Sequence, residues 1–168
     1  RLYFITPMPP FHQFTTKAKE AIKRAHELAI ERGQNHVNPL HLLTALISQD
    51  ESMVTSILDK LDVDTILLTE HLYESIESVE ASQTMTPSYQ IFLTPELAQI
   101  IDGSLKVAEG LHDEFASTEH LFVSILEVQS PAKELLFKFK IERANVLNVI
   151  EELKNSKTEV GKESKKLK

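Results

Sequence analysis

The stretch Asn38-Pro39-Leu40-His41-Leu42-Leu43 returns further along the chain as Ser117-Thr118-Glu119-His120-Leu121-Phe122. The step from His41 to His120 fixes the displacement at 79 residues. Self-similarity of this kind decides the fold, because each copy marks one structural unit. Both copies open on a residue suited to cap a helix, Asn38 or Ser117, whose side-chain oxygen accepts from an otherwise orphaned backbone N–H. Pro39 follows where the first helical turn does not use an N–H. An apolar run comes next in each copy. The stretch therefore predicts a short, nearly buried helix inside a duplicated helical unit.

The flanking sequence repeats as well. Phe14-Thr15-Thr16 opens a helix with threonine as cap and Phe14 as hydrophobic staple, and Leu93-Thr94-Pro95 restates it 79 residues later. Ala18, Ala21, Ile22, Ala25, Leu28 and Ala29 recur at helical spacing up to Gly33, and Leu97, Ile100, Ile101, Ser104, Val107, Ala108 and Leu111 form the matching stripe. Val54, Ile57, Leu58 and Leu61 make a third helix. Leu68, Leu72 and Ile76 make a fourth, capped by Asp62 or Asp64. In the second unit Leu135, Leu136 and Phe139 repeat Ile57, Leu58 and Leu61 at a displacement of 78, so one residue is lost in a loop, and Val146, Leu147, Ile150 and Leu153 form the last helix.

Eight helices follow, four per unit. Residues 1–13 form an N-terminal segment, with Met8 one candidate for the natural start; 14–78 form the first unit and 79–91 a linker. Residues 92–154 form the second unit and 155–168 a charged linker. Units this small bury their apolar faces by packing on one another. The expected architecture is all-α, a pseudo-twofold duplication in one compact domain.

Composition narrows the function. Of 168 residues 42% are hydrophobic and 26% charged, ordinary for a globular chain. A net charge of −7 supplies no cation excess for a phosphate backbone, which argues against nucleic acid. No apolar run is long enough for a membrane span. The absence of cysteine removes disulfides and thiolate metal sites and fits a reducing, cytoplasmic setting. Phosphate-cradling GxxxxGK[ST], HExxH and GxSxG patterns are all missing, so neither a metal nor a catalytic residue is expected.

Three features remain. His41 and His120 read as half-buried rings donating to backbone carbonyls. Glu119 fits two readings, a partner for the helix dipole or, beside the Thr94 cap, an acceptor for a cationic group. Phe11 and Phe92, just ahead of the opening helix of each unit, fit an exposed patch of the kind that meets a partner. A small hydrolase built on Glu119 and His120 is a rival, as is a standalone adaptor-docking protein.

Phe14-Thr15 with its alanine-rich helix, then Pro39-Leu40-His41-Leu42-Leu43-Thr44-Ala45-Leu46, resembles the first Clp repeat of the Clp AAA+ unfoldases. Leu93-Thr94-Pro95 and Ser117-Thr118-Glu119-His120-Leu121 resemble the second. The form of the first repeat is closer to the ClpB disaggregase branch than to ClpC or ClpA. The resemblance implies a non-catalytic N-terminal domain that binds unfolded or aggregated polypeptide for an AAA+ ring, monomeric alone within a hexameric parent. ATP and Mg would belong to the parent's ATPase modules, with no cofactor in this domain. Adaptor proteins and a DnaK-type chaperone system are the further partners implied. In ClpB relatives the substrate contacts correspond to Thr15, Asp113 and Glu119. The alternative is a ClpC/ClpA-type domain binding adaptors or phosphoarginine, for which the matching pair is Thr94 with Glu119, while Leu40 stands at the glutamate position of the first repeat.

Overall fold

The computed structural model describes residues 11–82 and 90–166. Residues 1–10 and most of the expected 79–91 linker, residues 83–89, lie outside the described set, as do 167 and 168. A 3-10 turn at Phe11–Gln13 leads into α1 (Thr16–Glu31), β1 (His36–Val37), α2 (Pro39–Ser48), α3 (Met53–Lys60) and α4 (Thr65–Ser82). The second half runs β2 (Phe92–Leu93), α5 (Pro95–Gly110), α6 (Thr118–Glu127), α7 (Pro131–Lys138) and α8 (Arg143–Lys166). Among the described residues the all-α, eight-helix duplication is therefore the observed architecture.

Local chemistry sets the helix starts. Thr15 Oγ1 accepts from the Ala18 amide at 3.2 Å and Thr94 Oγ1 from the Leu97 amide at 3.3 Å. Ser52 and Ser130 cap α3 and α7 in the same way. Asp64, not Asp62, caps α4, accepting from the Leu67 amide at 3.0 Å. Left-handed backbone recurs at matched positions, Gly33 with His112 and Asp62 with Lys140. Two of the helices outrun the expectation. α4 continues past Ser78 because Val79 extends its Leu68, Leu72, Ile76 stripe onto the core, and α8 continues past Leu153.

α2 and α6 form the centre. Both are buried over nearly their whole length, including Leu40, Leu42, Leu43 and Leu46 in α2 and Leu121, Phe122, Ile125 and Leu126 in α6. α2 packs on α1, α3, α4, α5, α6 and α7. Exchanging each helix for its repeat partner turns that set into α5, α7, α8, α1, α2 and α3, the neighbours of α6. This is the pseudo-twofold relation in packing form. Among the described residues no helix is long and apolar enough to cross a membrane.

The repeats are also stitched by backbone. β1 and β2 are parallel, with Val37 opposite Leu93, and the Thr94 amide donates to the Val37 carbonyl at 2.9 Å. The mate of this contact is the bridge between Phe14 and Ala116, where the Thr15 amide donates to the Ala116 carbonyl at 2.9 Å. Each unit thus lends the opening of its first helix to the other unit's loop. These two-residue strands were invisible to periodicity, which needs longer runs.

Candidate functional site

Two seams result, one on each side of the pseudo-twofold axis. The first holds Thr15 at the start of α1 against the N-terminus of α6; the second holds Thr94 at the start of α5 against the N-terminus of α2.

At the first seam the Thr15 hydroxyl donates to the Ser117 hydroxyl at 3.0 Å. The Ser117 amide donates to His120 Nδ1 at 2.7 Å, closing a capping box. Nδ1 being an acceptor, the ring proton sits on Nε2, which donates to Asp113 Oδ2 at 2.8 Å. Lys154, on α8, places Nζ 2.8 Å from Oδ1 and 2.7 Å from Oδ2 of the same carboxylate. Burial pushes the Asp113 carboxyl up, but hydrogen bonds from Lys154 and His120, with their charges, outweigh it and hold the group below the ordinary carboxylate range. Glu119, in the first turn of α6, is only 9% exposed. Its carboxylate has no hydrogen-bond or ion-pair partner among the described residues. The positive end of α6 partly offsets the desolvation of that charge. Phe11 leans on Phe14 with ring centroids 6.4 Å apart and remains exposed.

The second seam has the same skeleton and different chemistry. The Asn38 amide donates to His41 Nδ1 at 3.0 Å, repeating the capping box. His41 Nε2 is buried without a partner, and burial is the main reason its pKa falls to about 4. Glu80, which raises that pKa, and Arg32, which lowers it, form an ion pair at 2.6 Å beside it. Leu40 stands where α6 has Glu119. A cleft of about 180 Å3 lies between Thr94, Asn38, Leu40 and the start of α7. Phe92 stacks obliquely on His36 at 5.8 Å and is 45% exposed.

The structure therefore gathers Phe11, Thr15, Asp113 and Glu119 on one side and Phe92 and Thr94 on the other. Thr94 and Glu119, expected to share a pocket, do not. The physical reason is the exchange of openings: Thr94 is held by the Val37 carbonyl, so it faces the first repeat, and Thr15 takes the place beside α6. A second correction concerns the histidines, which accept backbone N–H bonds rather than donate to carbonyls. Both ring nitrogens of His120 are engaged, Nδ1 by the Ser117 amide and Nε2 by Asp113. Lys154 was not anticipated; its bond to Asp113 spans 41 residues, and no local pattern signals it.

The family model described as the Clp repeat (R) N-terminal domain matches residues 13–139. The chain belongs to the Clp repeat N-terminal domain family. Within it, the chain is 30% identical over 139 residues to the chaperone protein ClpB of Bacillus anthracis and 28% identical over 144 residues to that of Rhodopirellula baltica. These matches cover 81% and 86% of this chain, and 16% of the length of either relative. Among solved structures, the N-terminal domain of Hsp104 from Candida albicans matches with a TM-score of 0.63 at 20% identity, over 80% of this chain and 86% of that one. That of ClpD from Arabidopsis thaliana matches at 0.63 and 18%, over 87% and 99%. A ClpV N-domain in complex with a VipB peptide matches at 0.64 and 16%, over 83% and 87%. At these identities the structures share the Clp-repeat fold with this chain.

Proposed function

We propose that this Clp-repeat domain is the substrate-recognition module of a ClpB-type ATP-driven chaperone, itself without catalytic function. It receives a segment of unfolded or aggregated polypeptide at the seam between Thr15 and the N-terminus of α6. The observation that carries this reading is Glu119, a residue nine-tenths buried whose carboxylate has no protein partner among the described residues. A carboxylate so placed, with no protein partner of its own, gains a charge-assisted hydrogen bond from an incoming cation. Phe11 supplies an exposed ring beside the same seam, so a segment pairing a basic residue with aromatic ones fits best. Protein partners are also consistent with the ClpV relative, whose N-domain is in complex with a peptide.

Binding of this kind is weak, since a flexible segment loses its freedom against a small contact area. Weak engagement suits a module that hands chains to an ATP-driven ring carried by the parent protein. The second seam offers a cleft of mixed character, with Leu40 and Val79 beside Thr94 and Glu96, that extends the contact for longer segments.

Calorimetric titration with a capped Phe-Arg-Phe peptide tests the reading. Glu119→Gln lowers affinity about tenfold, the worth of one charge-assisted hydrogen bond. Equal affinity of variant and parent overturns it.

A further inference from the structure

We propose that Lys154 is an intrachain competitor for the acidic rim, holding the Asp113 carboxylate until a cationic ligand displaces it and so transmitting occupancy of the seam to α8. The inference rests on the reading of the Thr15–Glu119 seam as the substrate site.

An unbroken series of bonds runs from the seam to the last helix. It passes from Thr15 Oγ1 to Ser117 Oγ, from the Ser117 amide to His120 Nδ1, and from His120 Nε2 to Asp113 Oδ2, where Lys154 Nζ closes it at 2.7 Å. His120 is itself buried, and it immediately follows Glu119. Asp113 and Lys154 are different. Their side chains are 28% and 35% exposed, so the pair can exchange partners with an arriving side chain.

The first repeat shows that orienting the histidine does not need a carboxylate bonded to Nε2, although it carries an ion pair of its own beside the ring, Arg32 with Glu80 at 2.6 Å. His41 keeps the same capping box with no partner on Nε2. Gln34 stands at the Asp113 position and Ile76, buried in the core, at the Lys154 position, counting back 79 and 78 residues. The repeat-one histidine is oriented with no carboxylate bonded to its ring, the nearby Glu80 being paired with Arg32. The Asp113–Lys154 bridge therefore has some use beyond orienting its histidine. That use is positional: α8 continues beyond Lys154 as far as Lys166, so the bridge ties the base of that extension to the rim of the seam.

A ligand guanidinium seated between Glu119 and Asp113 replaces the Lys154 ammonium. The rim keeps its charge balance, and Lys154 loses its bonds to Asp113. Lys154 thereby sets a threshold: only segments bringing their own cation open the full rim.

Titration of the 168-residue chain with the capped Phe-Arg-Phe peptide, read by calorimetry and backbone amide exchange, tests this. Lys154→Met tightens binding about fivefold, and Lys154→Arg stays near the parent value. In the parent, peptide speeds exchange in the last turns of α8. Unchanged affinity in Lys154→Met overturns the proposal. So does an unchanged α8 exchange rate in the parent, a measurement that needs no variant. Binding that depends on Glu119 but ignores Lys154 defeats only this inference; no binding to the parent defeats the seam reading with it.

Discussion

The Thr15 hydroxyl donates to the Ser117 hydroxyl at 3.0 Å across 102 residues of sequence, so the cap of the first helix in one repeat is completed by the other. Its counterpart, Thr94, caps its own helix and borders the Asn38–Leu40 cleft, with no side-chain bond to the other repeat among the described residues. The two seams share a backbone and differ in polar chemistry.

That difference is measurable as stability. Thr15→Ala and Thr94→Ala each remove an N-cap at about 1 kcal/mol. Thr15→Ala also breaks the bond to Ser117, adding roughly 0.5–1 kcal/mol. Urea denaturation therefore ranks Thr15→Ala as the less stable variant. Equal midpoints would show that the inter-repeat hydroxyl bond contributes nothing.

Acid weakens the fold through His41. Its pKa drops from 6.5 to about 4 because burial disfavours the charged ring, with Glu80 opposing and Arg32 assisting. As pH falls from 6.5 towards 4 the unfolded chain takes up a proton that the folded chain refuses, so stability is lost over that window. The full loss is about 3 kcal/mol. Asp113, whose carboxyl is also held low, adds a loss of the same sign at more acid pH. Urea midpoints followed across the window should slope less steeply in His41→Gln, and parallel slopes in the two proteins would exclude His41 as the source.

Packing between α5 and α6 depends on Gly103. A Cβ there would lie 2.7 Å from Ser124 Oγ, which is buried and donates to the Ile100 carbonyl at 2.7 Å. Gly103→Ala costs about 1–2 kcal/mol by displacing that hydroxyl. Adding Ser124→Ala removes the obstacle and lets the helix-favouring alanine act, so the double variant recovers most of the loss. Additive losses in thermal melts would contradict this account.

Much of this fold was legible because helix signals are local. Caps at Thr15, Asn38 and Thr94 and apolar stripes at helical spacing each specify a start and a buried face, and their recurrence specifies the duplication. The seams were not legible. A displacement of 79 says that Thr15 and Thr94 are equivalent, but nothing about which of Leu40 and Glu119 each one faces. That choice is made by backbone bonds at Val37 and Ala116, set by how the units dock. Lys154 escaped for a related reason: its partner lies on another helix connection, and a lysine late in an amphipathic helix looks like any solvated cation.

Backbone amide shifts during titration of the chain with an unfolded model protein test the central claim most directly. The account predicts that the shifts concentrate at Thr15, Asp113 and the first turn of α6 around Glu119, and that they shrink sharply in Glu119→Gln. Shifts confined to the Thr94–Leu40 cleft, or spread over surfaces remote from both seams, would contradict it.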